Sequence, residues 1–308
     1  MLRYVFFGLL LSPLAFAQEA IPATKGKADP TAPLVWYDAK LLEVEGRGWA
    51  ETLAPYDRFP GKAEKAVPAS VWGLSRHSAG LCVRFVTDAA SVNIKWSVTG
   101  ERLAMPHMPA TGVSGVDLYV RGGKENRWQW AGVGQPTKKD DNRAAITVPA
   151  GKKECLLYLP LYNGTTALEI GLPKEAFFSK GPPRDASHAK PLLFYGTSIT
   201  QGGCASRPGM VHTAILGRKF EMPVLNFGFS GSGRMDAGVV DLLAELDPSV
   251  YVIDCLPNMT AKEVAANTEP LVKLLRAKRP TTPILLVEDR NYDNAHLLPG
   301  PKARNTAS

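Results

Sequence analysis

A change of rhythm near residue 190 constrains this chain more than any other feature of its 308 residues. Beyond it, short apolar runs alternate with stretches of helical pattern. Residues 192–195 are followed by 210–220, 224–227 by 237–246, and 250–254 by 261–277, and a last run spans 284–287. Thr260 stands where a helix N-cap belongs. Strands alternating with helices build a parallel sheet with right-handed crossovers. From 35 to about 172 the pattern is different: runs at 81–86, 91–98, 116–120, 128–133, 144–148, 155–161 and 167–170 are separated by Gly, Asp, Asn and Pro. Many short strands with almost no helical periodicity predict a β-sandwich of jelly-roll type. Ser179-Lys180-Gly181-Pro182-Pro183 reads as a linker.

The expected organisation is therefore a leader at 1–17, a polar lead-in at 18–34, a β-sandwich at 35–178, a linker at 179–190 and an α/β domain at 191–308. The leader combines Arg3, an apolar stretch at 5–14 and Ala15-Phe16-Ala17, the small-residue pattern read by a signal peptidase. Export and cleavage after Ala17 would place the protein outside the cytoplasm, secreted or periplasmic; a buried N-terminal helix is the competing reading. The apolar stretch is too short for a stable membrane anchor, and no later segment is long enough to span a bilayer.

Net charge is +7, but the cations are scattered, with pairs such as Lys152-Lys153 as their densest grouping. Without a basic stripe interleaved with aromatics, nucleic-acid binding has no support. Solvated surface explains the charge, and attraction to an acidic polysaccharide is the alternative. The four cysteines, Cys82, Cys155, Cys204 and Cys255, form no metal-ligand spacing, so no metal or other cofactor is implied.

Three loops carry the chemistry. Gly196-Thr197-Ser198-Ile199-Thr200 follows the first strand of the α/β half, Asn226-Phe227-Gly228-Phe229-Ser230-Gly231-Ser232-Gly233 comes at the end of the second, and Leu256-Pro257-Asn258-Met259 follows the third. In an open parallel sheet, loops at the carboxyl ends of the strands line the ligand crevice. Ser198 could be a nucleophile, a phosphate-loop hydroxyl or an ordinary turn residue; the Gly-x-x-x-x-Gly-Lys pattern of a phosphate loop is absent. Acyl transfer through Ser198 would need donors for the oxyanion, and the Ser198 and Gly231 amides with the Asn258 side chain could supply them. Plain turn chemistry for Gly231, and a loop cap or the Asn-Met-Thr sequon for Asn258, are the competing readings.

These blocks, in their order after successive strands, resemble the SGNH (GDSL-like) hydrolase family, with Thr197 where that family more often has Asp. Gly115-Val116-Asp117-Leu118-Tyr119 resembles the Gly-x-Asp-Leu-Tyr signature of a β-rich domain found ahead of such hydrolases. The resemblance implies a flavodoxin-like sheet, a serine esterase with Ser198 as nucleophile, and an oxyanion hole from Ser198, Gly231 and Asn258. It also implies an Asp-x-x-His block near the domain's end. Asp185-Ala186-Ser187-His188 precedes the first strand and falls on the wrong edge. Asp293-Asn294-Ala295-His296 follows the fourth strand, earlier than the family block. The expectation is a domain shortened at its C-terminus, which would leave the last strand's edge bare; Asp293 and His296 as the working pair is the alternative.

The expected substrate is an acyl ester, acetyl on a polysaccharide or on a small molecule. A lipid or small-ester acylhydrolase, or an inactive carbohydrate-binding protein, are the rival functions. Asp117 and Tyr119 are read as structural, and Trp36, Trp49, Trp72, Trp96, Trp128 and Trp130 as packing rather than a sugar platform. Cys204 and Cys255 flank the expected site, where a bridge and two separate thiols are both compatible with the sequence.

Overall fold

The computed structural model describes residues 19–123, 126–290 and 296–297. The leader at 1–17 and Asp293 lie outside them. The β-rich part contains strands β1 (Lys27–Ala28), β2 (Leu34–Asp38), β3 (Val44–Glu45), β4 (Cys82–Thr87), β5 (Ser91–Val98), β6 (Val116–Arg121), β7 (Gln129–Gly134), β8 (Asn142–Thr147), β9 (Lys153–Tyr158), β10 (Thr165–Pro173) and β11 (Phe178–Lys180), with helices α1 (Ala69–Ser75) and α2 (Ala110–Val113). Two sheets, in the orders β1-β2-β10-β5-β8 and β11-β4-β9-β6-β7, share one core. All their pairings are antiparallel.

The burial of each strand explains its sequence. Along β5 intermediate and buried residues alternate, the period of a strand with one face on the core. By contrast β4 and β9 are buried throughout. Val83, Phe85, Cys155 and Leu157 face the shared core, while Cys82, Leu156 and Tyr158 face a second cluster with Val211 and Ala214. A strand covered on both sides reads as a continuous apolar run.

The α/β part comprises β12 (Leu192–Gly196), α3 (Ser198–Gln201), α4 (His212–Phe220), β13 (Val224–Gly228), α5 (Ala237–Glu245), β14 (Val250–Asp254), α6 (Ala261–Lys278) and β15 (Ile284–Leu286). Its sheet is parallel in the order β13-β12-β14-β15, the 2-1-3-4 order of a flavodoxin-like sheet. Thr260 caps α6 as expected, in a capping box with Glu263. The edge strand β15 leaves Leu285 and Leu286 54% and 44% exposed.

The cores divide the chain differently from its linear rhythm. Residues within 49–74, in the β-rich half by sequence, fold onto the α/β core: Phe59, Ala63, Val67 and Val71 are buried there with Leu225, Phe227 and Val239. Trp49 packs on Phe59 and Phe227 at ring distances of 5.6 and 5.7 Å. The linker is tied down as well, since Arg184 pairs with Glu45 at 2.7 Å and Arg84 bonds the Pro182 carbonyl.

Candidate active site

Gly196 ends β12 between Gly228 of β13 and Asp254 of β14 in the register of the sheet, so all three loops leave the same edge side by side. Thr197 caps α3 by accepting from Ile199 N at 3.3 Å, which sets Ser198 at the start of the helix. Ser198 is half-buried, and its hydroxyl has no hydrogen-bond partner among the described residues. A Cβ on Gly228 would run into the Gln201 backbone, so only glycine lets β13 pass this close to α3.

The second loop is fixed from beneath. Phe229 N donates to Gly196 O at 2.9 Å, and Ser230 N to Gln201 Oε1 at 3.0 Å. Buried Asn226 donates to Thr200 O at 2.7 Å and Thr213 Oγ1 at 3.1 Å, while its own oxygen accepts from Gly228 N at 2.9 Å. Gly231 then adopts φ +70°, where a side chain is strained, and lies exposed with its N–H unpaired among the described residues. The Asn258 side chain docks on this loop. With its oxygen inward it accepts from Ser232 N and Gly233 N at 3.2 Å each. Turned the other way, the NH2 would face those two donors and keep only long contacts to Phe229 O and Gly233 O at 3.5 and 3.3 Å. We assign the first orientation because in it the oxygen meets two donors, and it turns the NH2 away from the Ser232 and Gly233 amides.

The structure therefore brings Ser198, Gly231 and Asn258 to one sheet edge. It does not join a histidine to Ser198 among the described residues. Asp185 and His188 sit ahead of β12 at the amino edge, as expected, with His188 bonded to Ser187 at 3.1 Å. His212 packs edge-on against Phe194 at 5.8 Å. His296 occupies an exposed turn after β15. Cys204 and Cys255 are not bridged, and all four cysteines are free. Cys255 points into the α/β core, its thiol 3.7 Å from Tyr195 O and its pKa pushed up by burial, whereas Cys204 follows the Ser198 turn out to the surface. Among the described residues no group of three or more His, Cys, Asp or Glu is placed to hold a metal.

Several neighbours of the site carried no sequence signal. Tyr162, from the loop after β9, donates to Ser198 O at 3.1 Å. Thr200 donates to Asp254 at 3.0 Å, where burial raises the carboxyl above its usual range. Fully buried Gln201 reaches Leu161 O at 3.1 Å and His77 Nδ1 at 3.2 Å. Burial, aided by the nearby Arg58 charge, lowers the His77 pKa to about 4. His77 is neutral in the folded protein at pH 5 but protonated when unfolded, so its contribution to stability is full above pH 6.5 and is lost as pH falls towards 4. Between pH 7 and pH 5 the parent should lose roughly 2 kcal/mol more than His77→Gln in denaturant titrations. Parallel pH curves for the two proteins would rule this out.

The Gly-x-Asp-Leu-Tyr signature clasps the two halves. Asp117, 0% exposed on β6, accepts from Gly209 N and Trp130 Nε1 at 2.8 Å each and pairs with Arg207 at 3.4 Å. Tyr119 packs under the Arg218 guanidinium, which lies 3.8 Å from its ring centroid. Gly209, Arg207 and Arg218 follow α3 in sequence, so the motif secures the segment leading out from the Ser198 turn. The structural reading of Asp117 and Tyr119 stands. Of the tryptophans, Trp36 and Trp96 are buried, but Trp130 is 51% exposed with Arg207 4.5 Å from its ring.

Comparison with known proteins follows this division. Residues 34–178 match the GxDLY family, the N-terminal region of SGNH-hydrolase-type esterases, and residues 189–308 match the GDSL-like lipase/acylhydrolase family. A crystal structure described as a GDSL-like lipase, from Bacteroides ovatus, is 32% identical with a TM-score of 0.82, the match covering 89% of this chain and 80% of that one. Two more distant structures share the fold. The salicylyl-acyltransferase SsfX3 from a tetracycline biosynthetic pathway has a TM-score of 0.62 at 21% identity, covering 83% of this chain and 70% of its own. A family two carbohydrate esterase from Cellvibrio japonicus has a TM-score of 0.52 at 12% identity, covering 88% and 84%. No curated protein matches the sequence.

Proposed function

Since this chain belongs to the GDSL-like lipase/acylhydrolase family, we propose that it is an exported serine esterase that removes small acyl groups, acetyl foremost, from a polysaccharide or a small alcohol. The observation that carries this reading is the meeting, at one sheet edge, of an unpartnered serine hydroxyl with the unpaired Gly231 N–H and the Asn258 amide. Ser198 Oγ attacks the ester carbonyl, and the Ser198 N–H, Gly231 N–H and Asn258 Nδ2 receive the oxyanion of the tetrahedral intermediate. Collapse expels the alcohol and leaves an acyl-serine, which water hydrolyses to the acid. The shared fold with a carbohydrate esterase and the export-type leader support a sugar ester as substrate.

The serine proton needs an acceptor, and among the described residues no histidine is bonded to Ser198. His296→Ala tests the segment after β15 directly: a fall in kcat of about 10² or more places the base there, and an unchanged kcat assigns it to another group. For the reading as a whole, wild-type protein is assayed on p-nitrophenyl acetate, butyrate and octanoate and on acetylated xylan. Acetate should be the best aryl ester, and Asn258→Ala should lower kcat by about 10²–10³. A tenfold preference for octanoate would exclude the small-acyl assignment, and no hydrolysis of any ester would exclude the esterase.

A further inference from the structure

Arg58 belongs to none of the motifs, yet it lies directly beneath the second loop. It is 0% exposed, and among the described residues its guanidinium bonds main-chain carbonyls and no carboxylate. Nη1 donates to Asn226 O at 2.9 Å and Gly228 O at 2.8 Å, Nη2 to Leu74 O at 2.6 Å, and Nε to His77 O at 2.9 Å. Its Cζ lies 4.8 Å from the centroid of the Phe229 ring. Asn226 and Gly228 stand two residues apart on β13, so their carbonyls point the same way. Among the described residues β13 is an edge strand with β12 as its one strand neighbour, and an edge leaves main-chain carbonyls in need of donors. One nitrogen of Arg58 serves both, in the place of a missing strand. Phe229, the next residue, is where the chain turns towards Gly231.

We propose that Arg58 is a positioning residue for the oxyanion loop, fixing the direction in which the chain leaves β13 and thereby the placement of Gly231 N–H and of the Ser232 and Gly233 amides on which Asn258 docks. The inference rests on the esterase reading of that loop. Lysine keeps a cation but cannot offer a planar fork to four carbonyls, and glutamine removes the charge. Both lose the geometry while keeping a long polar side chain.

The test compares wild type with Arg58→Lys and Arg58→Gln, each first shown to be folded by circular dichroism. It measures kcat and KM on p-nitrophenyl acetate, and amide hydrogen exchange over 226–233. Positioning predicts a fall in kcat of about 10–100-fold with KM changed less than about threefold. It also predicts exchange in 226–233 at least about tenfold faster, with the β-rich sheets unchanged. A folded variant whose kcat stays within about twofold of wild type overturns the proposal whatever its melting temperature, and so does a slowed variant with unaltered exchange. If neither variant folds, Phe229→Leu, which removes the ring packed on the guanidinium, should show the same split at smaller amplitude, and an unchanged kcat there overturns it. If wild type hydrolyses no ester, the esterase reading fails by itself, and the exchange comparison alone then decides whether Arg58 holds the loop.

Discussion

Ser198→Ala should fold as the parent does and lose ester hydrolysis by a factor of about 10⁴ or more. The two halves of that expectation have separate causes. The hydroxyl makes no hydrogen bond among the described residues and the side chain is half-buried, so its removal should change stability by no more than about 0.5 kcal/mol. Chemistry, in contrast, depends in the proposed mechanism on the Ser198 hydroxyl, on which the acyl-serine forms. Ser230 and Ser232 belong to the second loop, where the Ser230 amide donates to Gln201 and the Ser232 amide to Asn258. A loss of about 10⁴ corresponds to roughly 5.5 kcal/mol of transition-state stabilisation. What remains should be the slow attack of water on an ester held by the oxyanion donors.

Asp117→Ala should have the largest effect on stability, a loss of about 3–5 kcal/mol in denaturant titrations, because it leaves the Arg207 charge without its buried partner. It also strands Gly209 N and Trp130 Nε1, which both donate to this carboxylate at 2.8 Å. Asp117→Asn retains one acceptor oxygen and should cost less, about 1–3 kcal/mol. The order Ala worse than Asn distinguishes a lost acceptor from a lost charge, and a loss below about 0.5 kcal/mol for the alanine variant would refute the clasp. Because Gly209 and Arg207 lead from α3 to α4, limited proteolysis should cut this segment first in the alanine variant.

Much of the fold was legible because each half obeys one simple rule. The strand–helix alternation after residue 190 predicted the parallel sheet and its element positions, and the loops bearing Ser198, Gly231 and Asn258 fall where that order puts them. Segment 49–74 was not legible. Its apolar residues bury themselves in a core more than a hundred positions away, and no local periodicity reports that destination. Arg58 was hidden for the same reason, since a side chain that bonds only main-chain carbonyls needs no particular residue type opposite it. Tyr162 and Gln201 were missed because their contacts cross between the halves. The separation of Cys204 from Cys255 depended on which way each side chain points, and closeness of two loops does not determine that.

The nucleophile is tested most directly by intact-mass spectrometry after treatment with an alkyl fluorophosphonate, followed by peptide mapping of wild type and Ser198→Ala. A single adduct on the peptide carrying Ser198, absent from the alanine variant, is the expected result. An adduct on any other residue, or an Ser198→Ala protein that still takes the label and still hydrolyses p-nitrophenyl acetate, would contradict the assignment of Ser198 as the catalytic serine.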